Sequence, residues 1–326
     1  MNTSRTQFES GNLRLHLLLL VTVCFGCESS GTQSKPGTLP SPSVDVASTS
    51  WALMEMIRAI AGNELTTQLF EPEAGLSWRN RRGFFPDDAQ LALLAQAKLV
   101  VDNGPGVAYV NWFGMSAVAE DRVCNSSVNF RLDDYIPIKD YQSVHSHGPE
   151  GEHSHDYLVP YCWHDPSLAA KQVVAIQRSL TNKWPELESS FADRSTTFKS
   201  ELATLAESLK SAGSGVSAET EVVLATPDLM FLARAMGMKA RYELWFDEVD
   251  DAAWTKRIQS LRPSSGEIKT VVLLWPGTAP EIVRQAALDT ITLVEIDMLE
   301  SGSVEGTFLQ RFEQLVDKLK RDLRKE

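Results

Sequence analysis

From Val44 onward, short apolar runs alternate with stretches in which apolar residues recur every three or four positions. Val44–Ala47 reads as a short strand, followed by Trp51, Leu53, Met54, Ile57 and Ile60 at helical spacing up to Gly62. Leu65–Phe70 reads as a second strand, Ala89–Ala97 as a helix, and Lys98–Asp102 (KLVVD) as a buried strand closed by Asn103-Gly104. The stretch from about 120 to 165 shows little periodicity, and a connection of that length is usually functional or disordered. A helix is expected over Ser167–Leu180, with Asp165 as its N-cap. Pro185 opens a longer one whose Leu187, Phe191, Phe198, Leu202, Leu205 and Leu209 keep a single face to about Ser211, before Ala212-Gly213-Ser214-Gly215. Some 26 helical residues make a rod of about 39 Å, long enough to cross a domain.

A second alternating series follows. Strands are expected over Glu221–Ala225, Ala240–Phe246, Ile268–Trp275 and Thr290–Ile296. Helices are expected over Pro227–Met236, Ala252–Leu261, Ala279–Leu288 and Phe308–Leu323, the last with Phe312, Leu315, Val316 and Leu319 inward. Strands alternating with helices imply parallel sheets covered on both faces. The fold class is therefore α/β: two open parallel-sheet lobes, 44–184 and 213–326, joined by a long connecting helix over 185–212. Ligands of open parallel sheets bind beyond the carboxyl ends of the strands, so the cleft between the lobes is the default site.

The first residues read as an export segment. Arg5 and Arg14 precede an apolar run from Leu15 to Phe25, broken by His16 and Thr22. That run is too short to span a bilayer and fits the core of a secretory signal over 1–26. Gly26-Cys27 resembles the lipobox of bacterial lipoproteins, which implies lipidation at Cys27; Cys24 departs from the Leu or Val usual there. A cleaved but unlipidated signal and a retained anchor are the alternatives. Ser, Gly, Pro and Thr over 27–43 read as a flexible tether. With Cys24 and Cys27 assigned to export, Cys124 and Cys162 remain. An oxidising compartment permits a disulfide between them, and the alternative is that one or both are thiolate metal ligands.

At 326 residues, 43% hydrophobic and 23% charged, the chain is long enough for two domains with a sizeable core. A formal charge of −12 argues against nucleic acid, whose binding needs clustered Lys and Arg. The densest chemistry lies in Val144–Pro166, VHSHGPEGEHSHDYLVPYCWHDP, within an expected loop over about 143–160 and its flank. It holds His145, His147, His153, His155 and His164 among the six histidines of the chain. Imidazole is the commonest metal ligand, and two His-x-His pairs around Gly148 and Gly151 fit one transition ion. No G-x-S-x-G or H-E-x-x-H motif is present, so an enzyme is not expected.

Several stretches carry a resemblance to a known family. They are AKLVVDNGPGVAYV (Ala97–Val110); Trp163, Asp165 and Pro166 with the helix after them; Asn182–Leu209; VVLATPDLMFLARAMGM (Val222–Met238); and VEIDML (Val294–Leu299). Together they resemble the extracytoplasmic metal-binding proteins that deliver zinc or manganese to ABC transporters, including the zinc-type members with a His-rich loop. The resemblance implies the two-lobe fold, a monomer, an ABC permease as partner, and zinc, manganese or another divalent transition metal as cargo. It also implies ligands that this chain replaces. Trp78-Arg79-Asn80-Arg81-Arg82 lacks the first histidine, Tyr161 stands for the second, Thr226 for the third, and only Asp297 matches the final carboxylate. Two outcomes remain open. The ion is held by the loop histidines, with Cys124, Cys162, His164 or Asp297 added. Otherwise the interlobe site is lost and the scaffold binds a protein partner, or a non-metal ligand through Arg79, Arg81 or Arg82. Those arginines also read as surface charges, and Asp297 as a cap on the helix that follows it.

Overall fold

Two four-stranded parallel sheets arise around central strands buried on both faces. In the computed structural model, the described residues are 44–48, 50–70, 88–104, 118–146, 152–243, 251–261, 269–275, 291–300 and 304–323. The export segment, Cys27 and the tether lie outside them, as do Arg79, Arg81, Arg82, His147 and the helix expected over Ala279–Leu288. All described residues belong to one compact unit, Pro42–Glu326.

The first sheet contains β1 (Val46–Ser48), β2 (Thr67–Leu69), β3 (Leu99–Asp102) and β4 (Val123–Asn125) in the order β2-β1-β3-β4. Successive residues of a strand face opposite sides. Val46, Leu99 and Val101 accordingly join the main core, while Ala47 and Val100 pack outward with Phe70, Leu94 and Ala97. Helix α1 (Trp51–Ala61) covers the inner side, its N-terminus capped by the Ser50 hydroxyl. Helix α2 spans Asp88–Gln96.

Within the first lobe the expected irregular stretch is largely structured. Besides β4 it holds an antiparallel ribbon, β5 (Pro137–Ser146) and β6 (Glu152–Leu158), so the His-rich segment is a hairpin rather than a loop. Helix α3 (Pro166–Lys183) follows. Asp165 is its N-cap, accepting from the Ser167 N–H at 3.0 Å, with Pro166 in the first turn. The connecting helix α4 runs Glu188–Ser214. Its Phe191, Phe198, Leu202, Leu205 and Leu209 are buried in the main core shared by both lobes. Arg194 on this helix donates to the Ile60 and Ala61 carbonyls at 2.6 and 3.1 Å, satisfying the open C-terminal end of α1.

The second sheet contains β7 (Glu221–Leu224), β8 (Ala240–Tyr242), β9 (Thr270–Leu274) and β10 (Ile291–Glu295), ordered β10-β9-β7-β8. A 3-10 turn (Pro227–Leu229) leads into α5 (Met230–Ala235). Helix α6 (Asp251–Ser260) packs Trp254 and Ile258 on the outer face, beside Val223, Val272 and Leu274. Helix α7 (Phe308–Leu323) closes the inner one, where Phe308 packs between Phe198 and Phe312 at ring distances of 6.3 and 5.5 Å. The architecture is the expected α/β class with parallel sheets and a long helix between them.

Candidate metal centre

The carboxyl ends of β9 and β10 meet the segment Tyr161–Asp165 of the first lobe. Trp163 donates its indole N–H to the Met298 carbonyl at 3.0 Å, and His164 Nε2 lies 3.3 Å from the Asp297 carbonyl oxygen. Tyr161 packs edge-on against Trp275 at 5.6 Å and against Trp163 at 5.3 Å. Arg234 of α5 pairs with Asp165 at 3.1 Å across the same seam.

Both carboxylate oxygens of Asp297 are engaged. Its Oδ1 accepts from the Leu299 N–H at 2.9 Å and from Arg311 Nη2 at 2.7 Å, and its Oδ2 accepts from Arg311 Nε at 2.9 Å. Residues 298–300 are not helical, so Asp297 is not the helix cap expected; it accepts from the Leu299 N–H, and its main partner is a guanidinium. Arg311 is 2% exposed and lies over the Trp51 ring at 4.1 Å from the centroid. The planar fork of arginine matches a carboxylate in two places, and its weak hydration suits a buried, stacked position. Arg311 and Trp51 were not among the candidate ligands. The signal for Arg311 was its place between Phe308, Phe312 and Leu315 on the apolar stripe of a helix, where a charge requires a partner.

The other positions are also occupied by structural roles. Thr226 caps the turn after β7, donating to Asp228 Oδ2 at 3.0 Å and accepting from the Asp228 N–H at 3.3 Å. Tyr161 is buried in its aromatic cluster and stacks on His164 at 6.1 Å. His164 is completely buried, its Nδ1 has no hydrogen-bond partner, and burial pushes its pKa down to about 4, so it is neutral.

Cys124 and Cys162 are free and buried, so the disulfide is not formed. Each thiol is committed elsewhere: Cys124 Sγ to the Ala175 carbonyl at 3.8 Å, Cys162 Sγ to Asn103 Oδ1 at 3.4 Å. Gln172 donates to the same Asn103 oxygen and to Ser126 Oγ, tying α3 to the end of the first sheet. Burial raises the Cys124 pKa to about 11 and the Cys162 pKa further still, which disfavours the thiolate a metal needs.

A transition ion requires about four ligands. At the seam it would find one carboxylate already neutralised and a positive guanidinium beside it. Two like unit charges 4 Å apart repel by about 4 kcal/mol at an effective dielectric of about 20, and a divalent ion doubles this. The residues of the seam do not fit such an ion. Among the described residues, no group of three His, Cys, Asp or Glu is arranged to hold a metal.

On the β5–β6 hairpin it is the strand register, and not a formed ligand cluster, that groups the histidines. Its register pairs His145 with His153 and Ser143 with His155. Residues two apart on a strand share a face, and directly paired residues share it too, so His145, His153 and His155 lie on one face of the ribbon. His147 continues the same spacing but falls outside the described residues.

Comparison with known proteins places the whole assembly. The model of the family "Zinc-uptake complex component A periplasmic" matches residues 46–322. The chain belongs to this family. Members of the zinc-uptake component A family are extracytoplasmic metal-binding solute-binding proteins that work with ABC permeases; they are transport components, not enzymes. Similar solved structures include the laminin-binding protein Lmb of Streptococcus agalactiae, described as having adhesin and metal-transporting activity. It is 18% identical, with 86% of this chain and 99% of that one covered and a TM-score of 0.63. Zn(II)-bound AdcA from Streptococcus pneumoniae is 14% identical over 87% of this chain and 58% of that one, at a TM-score of 0.65. FpvC from Pseudomonas aeruginosa in complex with Ni2+ is 14% identical over 86% and 94%, at 0.62. At such identities the likeness shows the fold alone. No curated protein sequence matches the chain. Among the described residues, no helix is long and apolar enough to cross a membrane.

Proposed function

We propose that this protein captures a transition metal, zinc first, on the histidine face of its β5–β6 hairpin and serves an ABC permease from an extracytoplasmic position, tethered through Cys27. The observation that supports the reading is the strand register, in which His145 pairs with His153 while His155 shares their face. Imidazoles at cross-strand spacing, with Cβ atoms about 5 Å apart, can converge on one ion of zinc size. The family match and the Zn(II)- and Ni2+-bound structures similar in fold support a divalent transition metal as cargo.

Titration calorimetry with zinc on the full chain tests this. Binding of roughly one ion per chain is expected at about pH 7.5, weakening as the imidazoles protonate below about pH 6.5. The triple substitution His145→Ala, His153→Ala, His155→Ala should abolish it. An unchanged isotherm in that variant, or no heat in the unsubstituted protein, contradicts the reading.

The Arg311–Asp297 pair favours a second reading, in which the scaffold has lost its interlobe ion and binds a non-metal ligand or a protein partner. Absence of zinc binding together with thermal stabilisation by an anion would support it.

A further inference from the structure

We infer that the cleft between the lobes carries its own resident cation, the Arg311 guanidinium, which holds the lobes together in place of a captured ion. Arg311 touches both lobes. It grips both oxygens of Asp297, just beyond β10, and lies over Trp51, the first residue of α1 in the other lobe. The same strand end is also held by Trp163 at the Met298 carbonyl and by His164 at the Asp297 carbonyl. Arg234 with Asp165 makes a second clasp between the lobes.

Within the Arg311–Asp297 pair the charges balance one to one. A carboxylate has about four lone-pair positions. On Asp297, the Leu299 N–H and two guanidinium N–H groups take three of them. An arginine cannot lose its proton in a protein and cannot leave the chain, so its charge is permanent where a captured ion's would come and go. The consequence is a closed pair of lobes that does not report on cargo. A partner docking across both lobes meets the same surface whether or not an ion is bound elsewhere. This goes beyond the proposed metal capture and does not depend on it.

Small-angle X-ray scattering tests the inference on the full chain carrying the triple hairpin substitution, so that no ion on the hairpin enters the result. The radius of gyration, about 20 Å for a compact chain of this length, should be the same in EDTA and in excess zinc. Added to that chain, Arg311→Leu and Asp297→Asn should each enlarge it. The two together should enlarge it no more than either alone, because they remove one shared interaction. Circular dichroism and a cooperative melt establish that the variants are folded. If they are not, the EDTA and zinc comparison of the parent chain decides alone. Contraction of that chain on adding zinc overturns the inference, as does a folded Arg311→Leu chain with unchanged scattering.

Discussion

Charged and polar groups in the seam between the lobes take their protonation and pairing from what surrounds them. Arg311 is stabilised by a two-point ion pair and an aromatic face together, and lysine, a single point charge, can supply only part of this. Arg311→Lys should therefore lower stability by roughly 1–3 kcal/mol in urea unfolding. His164 gives a pH dependence. Its folded pKa of about 4 lies below its ordinary 6.5, so the unfolded chain binds the extra proton between those values. The stability held above pH 6.5 should fall by on the order of 3 kcal/mol as pH drops through 4. His164→Gln should flatten that slope in melts taken across the range. Single residues were unevenly legible in the sequence. Asp165 as an N-cap could be read from its place before Pro166, because capping is local. The pairing of Arg311 with Asp297 could not, because it depends on which helix face meets which strand end.

Elements with an apolar signature were legible and those without one were not. The inner strands of both sheets and helices α1, α3, α4 and α7 carry the spacing that burial imposes. The hairpin was missed because its alternation is written in His and Ser, as in HSH at Ser146 and again at Ser154, with no apolar face to reveal it. β4 was missed because three residues at a sheet edge make too short a run. The end of the connecting helix makes a prediction of its own. At Gly213 an added Cβ would overlap the Met236 carbonyl, so the helix can approach the second lobe there only without a side chain. Gly213→Ala should cost about 1–3 kcal/mol in urea unfolding, despite alanine's better helix propensity.

At the scale of the whole molecule, the chain keeps the family's α/β frame, and its seam is held by packing, hydrogen bonds and ion pairs. One core cluster runs from the inner face of the first sheet, through α1 and α4, to α7 and the second sheet. The lobes are further joined by Trp163, Arg234 and Arg311. The resemblance implied metal ligands at the positions of Tyr161 and Thr226, where neither residue type is an ordinary one. The sequence did not reveal that Tyr161 packs in an aromatic cluster, since that role requires the tertiary partner Trp275. If the seam is an ion pair and the hairpin is the metal site, zinc should sit among imidazoles and far from Asp297. X-ray absorption at the zinc edge reads this directly on the zinc-loaded full chain. The expected spectrum shows nitrogen ligands at about 2.0 Å with imidazole scattering, unchanged in Asp297→Asn and lost with the triple hairpin substitution. A carboxylate oxygen shell that disappears in Asp297→Asn and survives the hairpin substitution would contradict it.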